Sequence, residues 1–383
     1  MNALSTQARL NWLPKEIDFV LKKIKENQKT FAVLVPPAAS RNQVYVPEEN
    51  TDWTASFWVG MLLLAKEMSG TTDFDETIAS QMGSFTQRLK DQVGLETHDI
   101  GFLYNLSAIA DYRVNGHEAS KELAVEAADL LMKRYSPNAQ IIQAWGNLND
   151  PDERGRMIID CLLNLPLLYF ASEVTGDAAY KEAAYAHAKQ TQRYIVRENY
   201  TTYHTYFFDT ETGEPLGGKT AQGYSDSSCW ARGQAWGIYG FTLSYLYTGD
   251  VTFIETAKHL ADYFIKELPQ DKVCYWDLVF NDGSGEERDS SAASIAVCGL
   301  LELSRQLPLS DEKHAEYQDV ALQIMESLAQ GYTTIDHPDS NGLLLHGVYD
   351  KNKADGVDEC MIWGDYYYVE ALARLAIVWY RYW

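Results

Sequence analysis

WARGQAWGIYGFTLSYLYTGD, residues 230–250, is the stretch on which the fold turns. Wound as a helix, Trp230 to Tyr247 would be apolar on almost every face, and such a helix has to be enclosed by other elements. Gly249 then offers a left-handed stop, and Asp250 a cap for whatever follows. The next segment is of the opposite kind. Phe253, Ala257, Leu260, Ala261 and Phe264 fall on one stripe, with charged residues opposite. A buried helix turns directly into a half-exposed one.

The same pairing recurs along the chain. Apolar segments open near Trp53, Asp99, Asp160, Trp230, Asp289 and Trp363. Between them lie amphipathic helices, as at Leu123, Ala127, Leu130 and Leu131, or Ile17, Val20, Leu21 and Ile24. Gly70, Gly116 and Gly176 with Asp177 repeat the stop-and-restart signal. Six helical hairpins with buried inner members predict an all-α fold, an (α/α)6 barrel with inner and outer helix rings, as a single domain over residues 1–383. An open helical solenoid is the alternative. The uneven spacing of the openings and the apolar inner helices oppose it. The predicted interruptions are a proline-containing loop at Val35–Glu49, a strand and turn at Thr201–Asp209 with ETGEP, and a long connection over 270–288. Long loops on one rim of a rigid barrel are where a site is built.

Composition narrows the chemistry. The 383 residues are 46% hydrophobic, enough for a large core, and carry a net charge of −22, which opposes nucleic acid or anionic lipid as a partner. No apolar run approaches the ~18–20 residues of a membrane span. The opening MNALSTQARLNW lacks a basic start followed by an apolar segment, so no secretory leader is expected. Five scattered cysteines (Cys161, Cys229, Cys274, Cys298, Cys360) fit a reducing cytoplasm. With no HExxH, no Cys/His cluster and no phosphate-binding glycine loop, neither metal nor nucleotide cofactor is expected.

Inner helices of such a barrel run in one direction, so their starts gather at one end. Those starts bring Trp53, His98, Asp99, Asp160, Gln222, Trp230, Arg232, Trp236, Arg288, Asp289, Trp363 and Asp365 together. Carboxylates, an arginine and several tryptophans around one cavity suit a carbohydrate: aromatic faces cover sugar rings and polar groups fix hydroxyls. Asp is also a favoured N-cap, so Asp99 and Asp160 admit a merely structural role. Asp160 is the sharper candidate. Met157, Ile158 and Ile159 precede it and Cys161, Leu162 and Leu163 follow, a setting that raises a carboxyl pKa. Asp289 and Asp365 are equally well placed by spacing. Tyr366–Tyr368 could serve packing alone, and His204 could be an ordinary loop histidine. Arg232, opening an apolar helix, calls for a nearby anion.

The strings THDIGF (Thr97–Phe102), GRMIID (Gly155–Asp160), QGYSDSSCWARGQAW (Gln222–Trp236), YWDL (Tyr275–Leu278), RDSSAA (Arg288–Ala293) and GVDECMIWGDYYYVEAL (Gly356–Leu372) resemble the unsaturated glucuronyl hydrolases, glycoside hydrolase family 88. The resemblance runs in order over nearly the whole chain. It implies an (α/α)6 barrel and a metal-independent cytoplasmic enzyme. Its substrates would be lyase-generated oligosaccharides bearing a 4,5-unsaturated uronic acid at the non-reducing end. It also implies roles: Asp160 as general acid/base, Asp99 as the second essential carboxylate, and Trp53, His98, Trp145, His204, Gln222, Arg232 and Trp236 as sugar contacts. The acid would protonate carbon 4 of the vinyl ether, water would add at carbon 5, and the hemiketal would collapse. Three other readings stand beside it: an unsaturated rhamnogalacturonyl hydrolase of pectin fragments, an inverting hydrolase of saturated sugars on the same barrel, and a non-catalytic glycan-binding protein.

One departure bears on specificity. Family members favouring sulfated disaccharides carry Ser-x-x-Ser-x-Lys just before GVDE, where this chain has Asp350-Lys351-Asn352-Lys353-Ala354-Asp355. Asp350 and Asp355 are expected to repel a sulfate, with Lys351 or Lys353 as partial compensation. The expectation is unsulfated or weakly discriminating activity.

Overall fold

Burial separates two kinds of helix. In the computed structural model, which describes residues 10–150 and 153–383, twelve principal helices follow one another. In chain order they are α1 (Leu13–Asn27), α2 (Ser56–Ser69), α3 (Asp75–Asp91) and α4, which is built from Ile100–Tyr104, a π-helical Asn105–Ile109 and Ala110–Asn115. Then come α5 (Glu118–Met132), α6 (Pro166–Thr175), α7 (Ala178–Gln190), α8 (Ala231–Thr248), α9 (Val251–Lys266), α10 (Ser290–Gln306), α11 (Glu312–Gly331) and α12 (Ile362–Ala376). Most of the N-terminal stretch read for a leader, residues 1–9, lies outside the described residues.

The even-numbered helices form the inner ring. Every residue of α8 from Ala231 to Ser244 is buried, as is every residue of α10 from Ser290 to Ser304. The odd-numbered helices bury one stripe each, in α9 Phe253, Ile254, Ala257, Leu260, Ala261 and Phe264. Consecutive inner helices pack side by side, and α12 packs against α2, which closes the ring. This is the expected (α/α)6 barrel, and the closure removes the open solenoid. The predicted joints are present: Gly70, Gly116, Gly176 and Gly249 all have φ between 66° and 78°. The Asp177 and Asp250 side chains each accept from an amide of the next helix's first turn. Among the described residues no helix is long and apolar enough to cross a membrane.

Two inner helices depart from the regular form, and both carry candidate acids. The chain enters α6 through a 3-10 turn, Ile159–Leu163. Pro166 lacks an N–H, so the backbone before it need not follow α-helical pairing. Asn164 Oδ1 accepts from Phe102 N (2.6 Å), and Asn105 Nδ2 donates to the Leu163 carbonyl (3.0 Å). These bonds clamp the starts of α4 and α6 together. The approach is so close that a Cβ on Gly101 would sit 2.3 Å from Asn164 Cα.

Short strands cover the rim at the inner helices' N-terminal end. β1 (Tyr135–Ser136) pairs with β2 (Ile141–Ile142), and β3 (Arg156–Ile158), β4 (Thr205–Phe208) and β5 (Pro215–Lys219) form an antiparallel sheet in that order. The expected strand and turn after Thr201 are β4 and its link to β5. A last hairpin joins β6 (Gly347–Asp350) to β7 (Asp355–Glu359). Pairing of Ile158 with Thr205 fixes the approach to Asp160, and Ile159 N donates to the His204 carbonyl (3.1 Å).

Candidate active site

A cavity of about 330 Å³ opens at the N-terminal end of the inner ring. Its lining contains all nine residues expected there: Trp53, His98, Asp99, Trp145, Asp160, His204, Gln222, Arg232 and Trp236. Thr51, Asp52, Gly94, Thr97, Trp230 and Tyr349 complete it.

At its base lie two carboxyls with a histidine between them. His98 Nε2 is 3.4 Å from Asp99 Oδ1 and 3.3 Å from Asp160 Oδ1. The acids keep 13% and 18% of their side chains exposed, so they face the cavity, while His98 is buried at 1%. Asp99, at the N-cap of α4, makes no side-chain capping bond, and Asp160 lies one residue inside its 3-10 turn rather than at the cap. Burial raises Asp160 well above the usual carboxylate range, and the charge of Asp99 adds to it. Asp99 is pushed up to about 6 by burial, against the Thr97 hydroxyl, which donates to its Oδ2 at 2.6 Å. Burial and the Arg134 cation hold His98 neutral, down to about 3, despite two carboxyls within 3.4 Å. The pair shares one environment and titrates as a unit.

These three residues are also the one group among the described residues whose donor atoms converge within 4.8 Å, close enough for a metal ion. A carboxyl raised by desolvation holds its proton tightly, and a metal has to displace that proton first.

The walls are aromatic and amide-rich. Trp53 stacks on Trp363 at 5.4 Å and donates from Nε1 to the Tyr349 hydroxyl (3.2 Å). Trp236 is buried and packs on Phe102, while Trp145 is 39% exposed on the loop after β2. His204 Nδ1 accepts from the amides of Ala221 and Gln222, both at 3.0 Å. That leaves its proton on Nε2, and burial holds the ring neutral, down to about 3.

Arg232 has more protein partners than its sequence setting suggests. Its Nη1 reaches Asp289 Oδ2 (3.2 Å) and the Val348 carbonyl, and its Nη2 donates to Gln222 Oε1 (2.9 Å) and the Tyr349 carbonyl (2.8 Å). Trp230 and Trp363 cover its faces, at 4.4 and 4.9 Å. The anion that a buried guanidinium requires is Asp289 itself.

The geometry separates acids that spacing leaves equal. Asp289 lies behind Arg232 and caps α10. Asp365 is buried elsewhere, accepting from the Leu343 and Leu344 amides and the Tyr45 hydroxyl, and is pushed up to about 7. Arg288 pairs with Asp271 and Asp282 outside the cavity. Asp350 corrects an expectation. It points inward, 2% exposed, and caps the turn at Lys351–Lys353, so it cannot face a sulfate. Lys351 is bound to Glu287 and Lys353 to Asp350. Sequence reasoning missed Thr97, although it sits within THDIGF, and Tyr349, which carries no motif signal.

Known proteins fit this geometry. The chain is 45% identical to an unsaturated chondroitin disaccharide hydrolase of Streptococcus agalactiae, over 96% of this chain and 92% of that protein. It is 45% identical to an unsaturated glucuronyl hydrolase of a Bacillus species, over 91% and 93%. A crystal structure of unsaturated glucuronyl hydrolase from Streptococcus agalactiae superposes with a TM-score of 0.95 at 44% identity, covering 97% of this chain and 94% of that one. The family model described as Glycosyl Hydrolase Family 88 matches residues 27–376. A closed helical barrel with paired acids at its mouth, matched over nearly its whole length, thus belongs to glycosyl hydrolase family 88.

Proposed function

We propose that this chain is an unsaturated glucuronyl hydrolase that removes the 4,5-unsaturated uronic acid from the non-reducing end of lyase-generated glycosaminoglycan oligosaccharides. One observation carries the reading: a carboxyl raised well above its usual range, Asp160, shares a cavity floor with a second carboxyl and a neutral histidine. Protonating a carbon requires an acid that stays protonated near neutral pH, and desolvation supplies one.

In this reading Asp160 delivers its proton to carbon 4 of the vinyl ether. Positive charge develops at carbon 5 and the ring oxygen, where the Asp99 carboxylate stabilises it. Water adds at carbon 5, giving its proton back to Asp160. The hemiketal opens to a keto group at carbon 5, leaving carbon 1 as a hemiacetal that collapses to an aldehyde as its hydroxyl proton passes to the departing sugar oxygen, so that a ring-opened keto-uronate remains. His98, His204 with its Nε2 proton and Gln222 hold hydroxyl and carboxylate oxygens. Trp53, Trp145 and Trp236 cover ring faces, and Arg232 anchors the β6 backbone and Gln222 around them.

A second cavity of about 550 Å³ shares Asp52 and Tyr349 with the first and is lined by Arg41, Glu48, Asp355 and Glu359. We assign the leaving saccharide to it. Carboxylates outnumber its single arginine, which favours an unsulfated sugar. The same reading takes residues 1–383 as one catalytic domain, since the apolar core extends from Leu13 to Trp383, and places it in a bacterial cytoplasm. The test is to mix the protein, in excess chelator, with an unsaturated chondroitin disaccharide and follow the ultraviolet absorbance of the conjugated double bond. Loss of absorbance is expected. Persistence there, with loss on an unsaturated rhamnogalacturonan disaccharide, would move the substrate to pectin, and binding without turnover of either would make the chain a glycan-binding protein.

A further inference from the structure

Trp145 is the most exposed aromatic wall of the catalytic cavity, and it sits on a loop rather than on a barrel helix. A ligand platform on a loop works only if something fixes its plane. The neighbour placed against it is Arg156, from the GRMIID stretch, for which the proposed reaction has no use. Its guanidinium carbon lies 4.7 Å from the Trp145 ring centre and 5.6 Å from that of Phe207. Phe207 is the residue directly paired with Arg156 across β3 and β4. The Arg156 carbonyl accepts from Ala144 N (2.9 Å), and its Nη1 reaches the Trp145 carbonyl (3.4 Å). Among the described residues no ion pair within 4 Å holds it, although the Glu153 charge is near enough to act on it, and its planar group lies over two rings.

We propose that Arg156 is a positioning residue for substrate binding: stacked on Trp145 and on its cross-strand neighbour Phe207, it sets the plane of the Trp145 indole that faces the sugar. The role rests on the reading that Trp145 covers a sugar ring. It places the rigid sheet β3–β4 behind a loop residue, and β3 leads directly into Asp160. One short strand thereby sets both the proton donor and the wall opposite the substrate. Arginine suits the position because its flat cation stacks face to face on an indole, which a lysine ammonium cannot do.

The test is a double-mutant cycle in kcat and KM on an unsaturated chondroitin disaccharide, using Arg156→Leu, Trp145→Leu and the pair. Arg156→Leu is expected to raise KM severalfold, with about thirtyfold as the ceiling reached if the whole cation–π contact serves to preorganise the indole, and with kcat almost unchanged. In the Trp145→Leu background the same substitution should add nothing, because there is no indole left to orient. Additive losses, or an unchanged KM in the single variant, overturn the role. If Arg156→Leu does not fold, Arg156→Lys and Arg156→Gln run the same cycle, with lysine expected to recover only part of the wild-type KM. The wild-type control separates the two layers. Absence of turnover overturns the functional reading and this role with it, whereas turnover with additive losses overturns this role alone.

Discussion

Thr97→Val is a small change with a calculable consequence. The Thr97 hydroxyl donates to Asp99 Oδ2 at 2.6 Å, and among the causes acting on this carboxyl it is the largest that opposes burial. Valine keeps the shape and removes the donor. A hydrogen bond to a charged group contributes about 1.5–3 kcal/mol, and 1.36 kcal/mol corresponds to one pKa unit. Loss of the bond therefore raises Asp99 by about 1–2 units, from its present value of about 6. The sign follows from the charge: the ionised form loses its donor, so the protonated form persists to higher pH. Asp99 acts as a carboxylate in the proposed reaction, so the acid limb of kcat/KM should move upward by that amount. The alkaline limb, where Asp160 loses its proton beside an Asp99 that has already ionised, should not move down. The bell narrows from the acid side alone. The assay is kcat/KM against pH for wild type, Thr97→Val and Thr97→Ser, with serine expected to restore the wild-type profile. An acid limb that stays in place, or moves down, would refute the assignment of that limb to Asp99.

Three further outcomes are expected. Asp289→Ala breaks the buried pair with Arg232 and should cost about 3–5 kcal/mol of unfolding free energy, read by denaturant unfolding, with Asp289→Asn milder because it keeps the α10 cap. Asp99 is raised from 3.8 to about 6 on folding, so the folded state is penalised as pH rises from about 4 and fully so above about 6. Asp99→Asn should therefore be more stable than wild type by up to about 3 kcal/mol at pH 7, with the gain vanishing near pH 4. Asp355→Lys, which reverses a charge in the second cavity, should raise kcat/KM on a 6-sulfated relative to an unsulfated chondroitin disaccharide by about tenfold, and an unchanged ratio would remove that cavity as the leaving-sugar site.

Much of the barrel is legible in the chain because its signals are local. A helix apolar on all faces, such as Trp230–Tyr247, has to be enclosed, and Gly249 with Asp250 marks its end within two residues. The gathering of Asp99 and Asp160 follows from helix direction alone. What stays hidden depends on partners distant in sequence. Arg232 finds Asp289 57 residues on and the carbonyls of Val348 and Tyr349 more than 110 residues on, so its protein-committed state cannot be read from its neighbours. Asp289 and Asp365 look alike as acids near helix starts. The loop amides of Leu343 and Leu344 and the Tyr45 hydroxyl, all distant in sequence, hold Asp365 away from the cavity. β3 is three residues long, too short for a periodic signal, and exists because β4 pairs with it.

The central claim is that Asp160 is the proton donor, and Asp160→Asn tests it most directly. Asparagine keeps the volume and the cavity polarity, so binding of an unsaturated chondroitin disaccharide, followed by quenching of indole fluorescence, should stay within a fewfold of wild type. Loss of double-bond absorbance should slow by about 10²–10⁴, the range for removing a positioned general acid. Turnover within tenfold of wild type, with binding intact, would contradict the account and move the proton to another residue of the cavity.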